Sequence, residues 1–242
     1  MNKIKKNFSF LRPIKFANLK RFGRKADGGY VIEPKILKRS NYLLSFGLGS
    51  DWSFELDCIK KNSKITVFIY DHTVNIWIYL IEVFKYFRRL MLLRVSFKNF
   101  LLRVKKLHNY INFINSPKVN FIKKKVTKNP KNFKEVDIDT TVSQIGKNNN
   151  FILKCDIEGS EYELIDKILK YSNKIDMLIF EFHWINKNEK KFTNSIKKLV
   201  KNFNIVHIHG NNHCLETIGG LPVIIEITLI NKKLIKKRGK FV

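Results

Sequence analysis

Residues 151–164 constrain this chain more than any other stretch. The apolar run Phe151-Ile152-Leu153-Lys154-Cys155 ends in Asp156-Ile157-Glu158, then Gly159, then Ser160-Glu161-Tyr162-Glu163-Leu164. Ser160 and Glu163 have capping-box spacing, which predicts a helix start. Leu164, Ile165, Ile168 and Leu169 follow at helical spacing. Asp156 and Glu158 therefore belong where a buried strand stops and a helix begins. Ligands bind at that edge of open α/β sheets. Carboxylates beside a buried strand are costly unless paired or used, which makes both candidate site residues. A charged strand-to-helix turn is the plain alternative.

The pattern around this segment alternates. Apolar runs at 42–48, 65–70, 119–126, 151–157, 175–182, 205–209 and 223–230 read as seven strands. Helical spacing falls at 52–59, 74–113, 137–145, 160–171 and 188–203, and no helix separates the last two strands. Such alternation predicts an α/β fold with a mostly parallel sheet and helices on both faces. The missing last helix predicts an antiparallel pair at one edge. A Rossmann-like sheet of seven with one antiparallel strand is the architecture of class I S-adenosylmethionine (SAM) methyltransferases. The 242 residues suit one such domain at 41–242, with a basic segment at 1–40 packing on it and a basic, apolar helical insertion at about 76–113. That length buries a core without disulfides. Cys58, Cys155 and Cys214 form no CxxC pair, so neither a zinc knuckle nor a disulfide framework is expected.

The net charge of +27 is unevenly placed. Residues 1–25, 83–134 and 227–242 hold 9, 15 and 6 Lys/Arg and no acid, leaving 17 of the 47 basic residues beside all 20 acids. Basic segments of this kind face a polyanion or simply solvent. Between Ile76 and Leu107, eight cations (Lys85, Arg88, Arg89, Arg94, Lys98, Arg103, Lys105 and Lys106) stud an aromatic and aliphatic run. It is too charged to span a bilayer. It suits either a helix in a membrane interface or a helix packed on the sheet as a cap over the substrate. The segment Met1–Phe10 lacks an apolar stretch long enough for a secretory signal, so the expected location is cytoplasmic, peripheral at the inner membrane face.

Phe46-Gly47-Leu48-Gly49-Ser50-Asp51 is a glycine turn between a strand and a helix. Asp71, followed by His72, ends the next strand, where a carboxylate suits ribose hydroxyls. Trp52 stands where a dinucleotide fingerprint would continue toward its third glycine. That argues against NAD and leaves SAM, which has no pyrophosphate to cradle.

Several motifs together resemble the FkbM-type family of SAM-dependent methyltransferases. They are Asp27-Gly28-Gly29-Tyr30-Val31; Ser45-Phe46-Gly47-Leu48-Gly49 with Ser53-Phe54-Glu55; Tyr70-Asp71-His72-Thr73; Leu153 to Tyr162; Phe180-Glu181-Phe182-His183; His207 to Asn212; and Leu221-Pro222 before Glu226-Ile227-Thr228. The resemblance spans nearly the whole chain and departs most in the basic stretch after Asp71. It implies SAM bound at Phe46, Gly47, Leu48, Gly49 and Ser50, with Asp71, His72 and Asp156 alongside. It implies an acceptor side built near Asp156, Glu158, Glu181, His183 and His209. The implied reaction is methyl transfer to a hydroxyl of a sugar or glycan, in surface polysaccharide or natural-product biosynthesis.

A hydroxyl acceptor is helped by a general base. His183 is the first candidate because an unperturbed histidine titrates near neutral pH. Asp156 and Glu158 come next. Asp156, Glu181, His183 and His209 also form a set able to hold a divalent metal, but a metal-free site is expected. Two rivals stand beside this reading. One is an RNA methyltransferase, favoured by the charge but lacking an evident base-stacking platform. The other is a non-catalytic SAM-fold adaptor for membrane or glycan.

Overall fold

A computed structural model describes residues 6–25, 28–146, 149–211 and 220–235. Asp27, Asn212 and Cys214, named above, lie outside these residues, as do the basic residues of the last seven positions.

In chain order the elements are β1 (Lys20–Phe22), β2 (Tyr30–Ile32), α1 (Pro34–Arg39), β3 (Tyr42–Phe46), α2 (Ser53–Lys61), β4 (Thr66–Tyr70), α3 (Ile76–Met91) and α4 (Phe97–Ile114). There follow β5 (Val119–Ile122), β6 (Lys125–Val126), β7 (Glu135–Val136), α5 (Ile138–Ser143), β8 (Phe151–Cys155), α6 (Glu161–Leu169), β9 (Ile175–Phe182), α7 (Ile185–Leu199), β10 (Phe203–Gly210) and β11 (Ile225–Asn231).

The seven long strands form one sheet in the order β10-β11-β9-β8-β3-β4-β5. The pairs β3–β4, β3–β8, β4–β5 and β8–β9 are parallel, and β11 runs antiparallel to both its neighbours. The expected Rossmann-like sheet with one antiparallel strand is therefore present. Every residue of β8 and β9 is buried, as expected for strands covered on both faces.

Alternation within β3 shows the two cores. Leu44 and Phe46 point into one, with Leu164 and Ile168 of α6, while Leu43 points into the other, with Ile36 of α1 and Phe54 of α2.

Three local expectations change. The run at 119–126 is not one strand: it breaks after Ile122, and β6 pairs with β7 in a separate small sheet. The capping box at Ser160 does not form. Ser160 sits at φ −88°, ψ −2° and makes no side-chain cap bond. Glu161 supplies the turn instead, its Oε1 accepting the amides of Ile157 and Gly159, each at 3.1 Å. The helix after β9 starts at Ile185, ahead of the expected Asn188, because Trp184 turns the chain through φ 54°, ψ 40°.

Residues 12–33 strap the antiparallel end of the sheet. Ile14 N donates to Ile205 O at 2.8 Å, and Thr228 Oγ1 donates to Val31 O at 2.7 Å. β1 and β2 pair antiparallel in the same stretch and carry Tyr30 onto Phe54, with ring centroids 5.1 Å apart.

Candidate functional site

The parallel strands β3, β4 and β8 end side by side, and their loops form one cleft. Gly47, at φ +80°, is fixed by crowding. An added Cβ would fall 1.6 Å from the carbonyl oxygen of Asp156, so only glycine lets the two loops touch. Gly49, at φ +61°, has nothing within 4 Å of an added Cβ, so its backbone is bare toward open space.

Asp71 holds this loop together. Its Oδ2 accepts the amides of Leu48 (2.8 Å) and Gly49 (3.0 Å), and its Oδ1 accepts the amide (2.7 Å) and hydroxyl (2.7 Å) of Thr73 and the amide of Val74 (3.2 Å). Burial alone would raise its pKa; the hydrogen bonds from Thr73, Gly49 and Leu48 outweigh that and hold it below the ordinary carboxylate value. A carboxylate offers about four lone-pair sites, so a ribose hydroxyl would have to displace one of these donors.

The cleft is lined by Gly47, Gly49, Asp71, His72, Asp156 and Glu158, all named from the sequence. Lys124, Lys125 and Ser160 line it too. Phe46 and Leu48 instead turn their side chains into the core, and Ser50 is exposed on the rim.

Behind Asp156 lies a cluster of buried charge. Lys154 Nζ donates to Gly47 O (2.6 Å) and pairs with Glu55 Oε1 (3.4 Å) and Asp156 Oδ2 (3.6 Å). His183 Nδ1 meets Glu161 Oε1 at 2.9 Å, while its Nε2 stands 3.7 Å from carboxylate oxygens of Asp156, Glu158 and Glu181. Burial would lower the His183 pKa, but the hydrogen bond and charge of Glu161, with Asp156 and Glu158, raise it to about 9. His183 is thus an imidazolium at neutral pH. Burial and the charge of Asp156 push Glu181 up to about 7, against the opposing pull of His183 and Tyr30.

Tyr30 was given no role in the sequence reading, yet it joins the two central carboxylates. Its Oη lies 2.8 Å from Asp156 Oδ2 and 3.0 Å from Glu181 Oε2. A phenol has one proton and donates to one carboxylate at a time. Both contacts are hydrogen bonds together only when one of the two carboxylates holds a proton of its own. That proton count agrees with a Glu181 poised near neutrality. The signal lay in Asp27-Gly28-Gly29-Tyr30, noted as a motif without a use. Lys154, Glu55 and Glu161 were passed over in the same way.

His209 is not part of the cluster. In register, His209 faces Glu226, which faces Glu181, so it lies two strands away, about 9–10 Å. Burial and Arg21 lower its pKa. Among the described residues Asp156, Glu181 and His183 bring ligand atoms within 4.8 Å of one another, as a metal would require. A metal held there would need His183 as the neutral imidazole.

Five carboxylates (Glu55, Asp156, Glu158, Glu161 and Glu181) therefore surround two cations, Lys154 and His183. The cleft itself is lined by three carboxylates, Asp71, Asp156 and Glu158, against Lys124 and Lys125, which leaves it mildly acidic in a chain of net charge +27.

The fold is a Rossmann-like seven-stranded sheet with one antiparallel strand. Similar solved structures include fibrillarin from Methanococcus jannaschii, at 9% identity and TM-score 0.45, covering 94% of this chain and 86% of that one. Precorrin-6y C5,15-methyltransferase from Geobacter metallireducens aligns at 8% identity and TM-score 0.42, covering 81% and 84%. The sequence matches no family model and no curated protein.

Proposed function

We propose that this chain is a SAM-dependent O-methyltransferase acting on a hydroxyl of a sugar or glycan. The observation that carries the cofactor is the acidic cleft at the parallel strand ends of a strongly basic chain. SAM bears a sulfonium and an ammonium, and Asp156 and Glu158 offer them carboxylates. Lys124 and Lys125, which also line the cleft, suit its carboxylate, and bare Gly49 admits close approach. When bound, SAM supplies an electrophilic methyl group.

The protein's own residues handle the acceptor proton. His183, charged and pinned through Nδ1 by Glu161, orients Asp156 and Glu181 instead of accepting a proton itself. Glu181, pushed up to about 7, is matched to take a proton near neutral pH, passed through Tyr30 or Asp156. This moves the base assignment from His183 to Glu181.

The sugar rests on the FkbM resemblance, and one feature of the structure supports it. Trp184, 48% exposed in a left-handed conformation beside His183, offers an apolar ring to a sugar face. A bulky residue in that conformation is strained, and strain of this kind gathers at functional sites.

Calorimetry with SAM separates a transferase from a non-catalytic adaptor. Methyl transfer assayed against glycan and RNA acceptors separates the two enzymes. Transfer to RNA with none to glycans would overturn the proposal.

A further inference from the structure

The insertion at 76–114 is a helical hairpin whose outer surface is uncovered. Its root is fixed. Tyr79 and Tyr110 lie 4.4 Å apart, and Trp52 packs on Tyr110 at 5.5 Å and Phe113 at 6.0 Å. This ties the root to the loop that follows Gly49. Beyond the root, from Leu80 to Asn109, no residue is buried.

The exposure is patterned. Trp77, Ile81, Phe84 and Met91 recur along one face of α3 and are 67%, 51%, 62% and 69% exposed. Phe97, Leu101 and Val104 make a shorter exposed stripe on α4 at the same kind of spacing. The inner faces meet through Tyr86 and Arg103, the latter also bound to Glu82 at 3.0 Å. An ordinary surface helix turns its apolar stripe toward the core; α3 turns its own outward for its whole length. Contiguous apolar exposure on this scale marks an interaction surface.

Charge decides the occupant. Residues 76–107 carry eight Lys/Arg and one acid, Glu82, which Arg103 occupies. A second copy would set these cations against their like. An anionic lipid surface satisfies both the apolar stripe and the cations beside it. No described helix is long and apolar enough to cross a membrane. The 16 residues of α3 make about 24 Å of helix, so it would lie in the interface plane.

We propose that the α3–α4 hairpin docks the protein on an anionic lipid bilayer, with the outer stripe of α3 in the acyl boundary and Lys85, Arg88, Arg89 and Arg94 at the headgroups. Because Asn75 caps α3 four residues beyond Asp71, docking would hold the cleft beside the membrane. The docking stands whatever reaction the cleft performs.

The test is cosedimentation of the full chain with vesicles of phosphatidylcholine alone or with about one third phosphatidylglycerol. Each cation near such a surface is worth about fivefold in binding. Binding is therefore expected on the anionic vesicles and not on the neutral ones. Lys85→Gln with Arg88→Gln should weaken it about 25-fold. Phe84→Ser with Met91→Ser should abolish retention, with circular dichroism unchanged because both positions are exposed. Absence of binding to anionic vesicles at low salt would overturn the proposal. So would binding that ignores the Phe84 and Met91 substitutions, the behaviour of a purely electrostatic RNA site. A concentration-dependent dimer in sedimentation velocity, lost in the Phe84/Met91 variant and unaccompanied by vesicle binding, would assign the face to a second copy.

Discussion

Tyr30→Phe isolates the proton shared at the centre of the site. The substitution keeps the ring, which packs against Phe54 at 5.1 Å, and removes only the hydroxyl that touches Asp156 and Glu181. In the native site that contact pulls the Glu181 pKa down, against burial and the charges of Asp156 and Glu226, which push it up. Its loss must move Glu181 upward from about 7. A hydrogen bond to a charged group contributes about 1.5–3 kcal/mol, and one pKa unit is 1.36 kcal/mol, so the rise is about 1–2 units.

The sign in stability follows. Glu181 has a folded pKa raised above its ordinary 4.5, so its contribution is complete below that value and lost as pH rises through about 7. In Tyr30→Phe the loss should begin at the same pH, which the unfolded chain sets, and continue to higher pH. The assay is thermal unfolding of both proteins across a pH series, with kcat/KM for methyl transfer on the same samples. The acid limb of the rate profile should shift with the stability inflection. An inflection that stays in place, or moves to lower pH, would refute the shared-proton account.

Glu161→Gln should carry the His183 pKa down from about 9 toward the ordinary histidine value, drawing in the alkaline limb of the rate profile. NMR titration of the His183 ring reads it directly. Gly47→Ala should destabilise severely, since its Cβ would lie 1.6 Å from Asp156 O. Gly49→Ala, with open space around it, should cost only about 1–2 kcal/mol for its left-handed backbone; melting temperatures compare the two. Asp71→Asn should lose both stability and SAM affinity, because one amide oxygen cannot serve the five donors that Asp71 now accepts. Calorimetry and melting curves separate the losses. Exhaustive chelation should leave turnover unchanged if the His183 cation takes the place of a metal.

The strands were legible because burial on both faces writes a continuous apolar run, as in Phe151–Cys155 and Ile175–Phe182. The close approach at Gly47 was legible as a glycine but not as a contact with Asp156, 109 residues away. Tyr30 was hidden for a related reason. A tyrosine directly after a glycine pair carries no periodic signal, and only the folded strap reveals what it reaches. The ordinary histidine pKa, which points to His183 as a base, says nothing of the carboxylates that other strands bring to it. The hairpin was legible as basic and apolar, but not as two helices with their apolar side turned outward.

The position of β11 between β9 and β10 has a consequence for synthesis. A ribosome delivers β10 first, yet the place next to β9 belongs to β11. When β10 emerges it has no edge to join that it will keep. Its antiparallel partner and its route into the sheet both arrive with Ile225–Asn231. The half of the sheet that bears Glu181 must therefore close after translation of the last strand. A chain stopped short of residue 225 would lose the centre of that half, not merely a tail, and would leave the edge of β9 open beside Glu181.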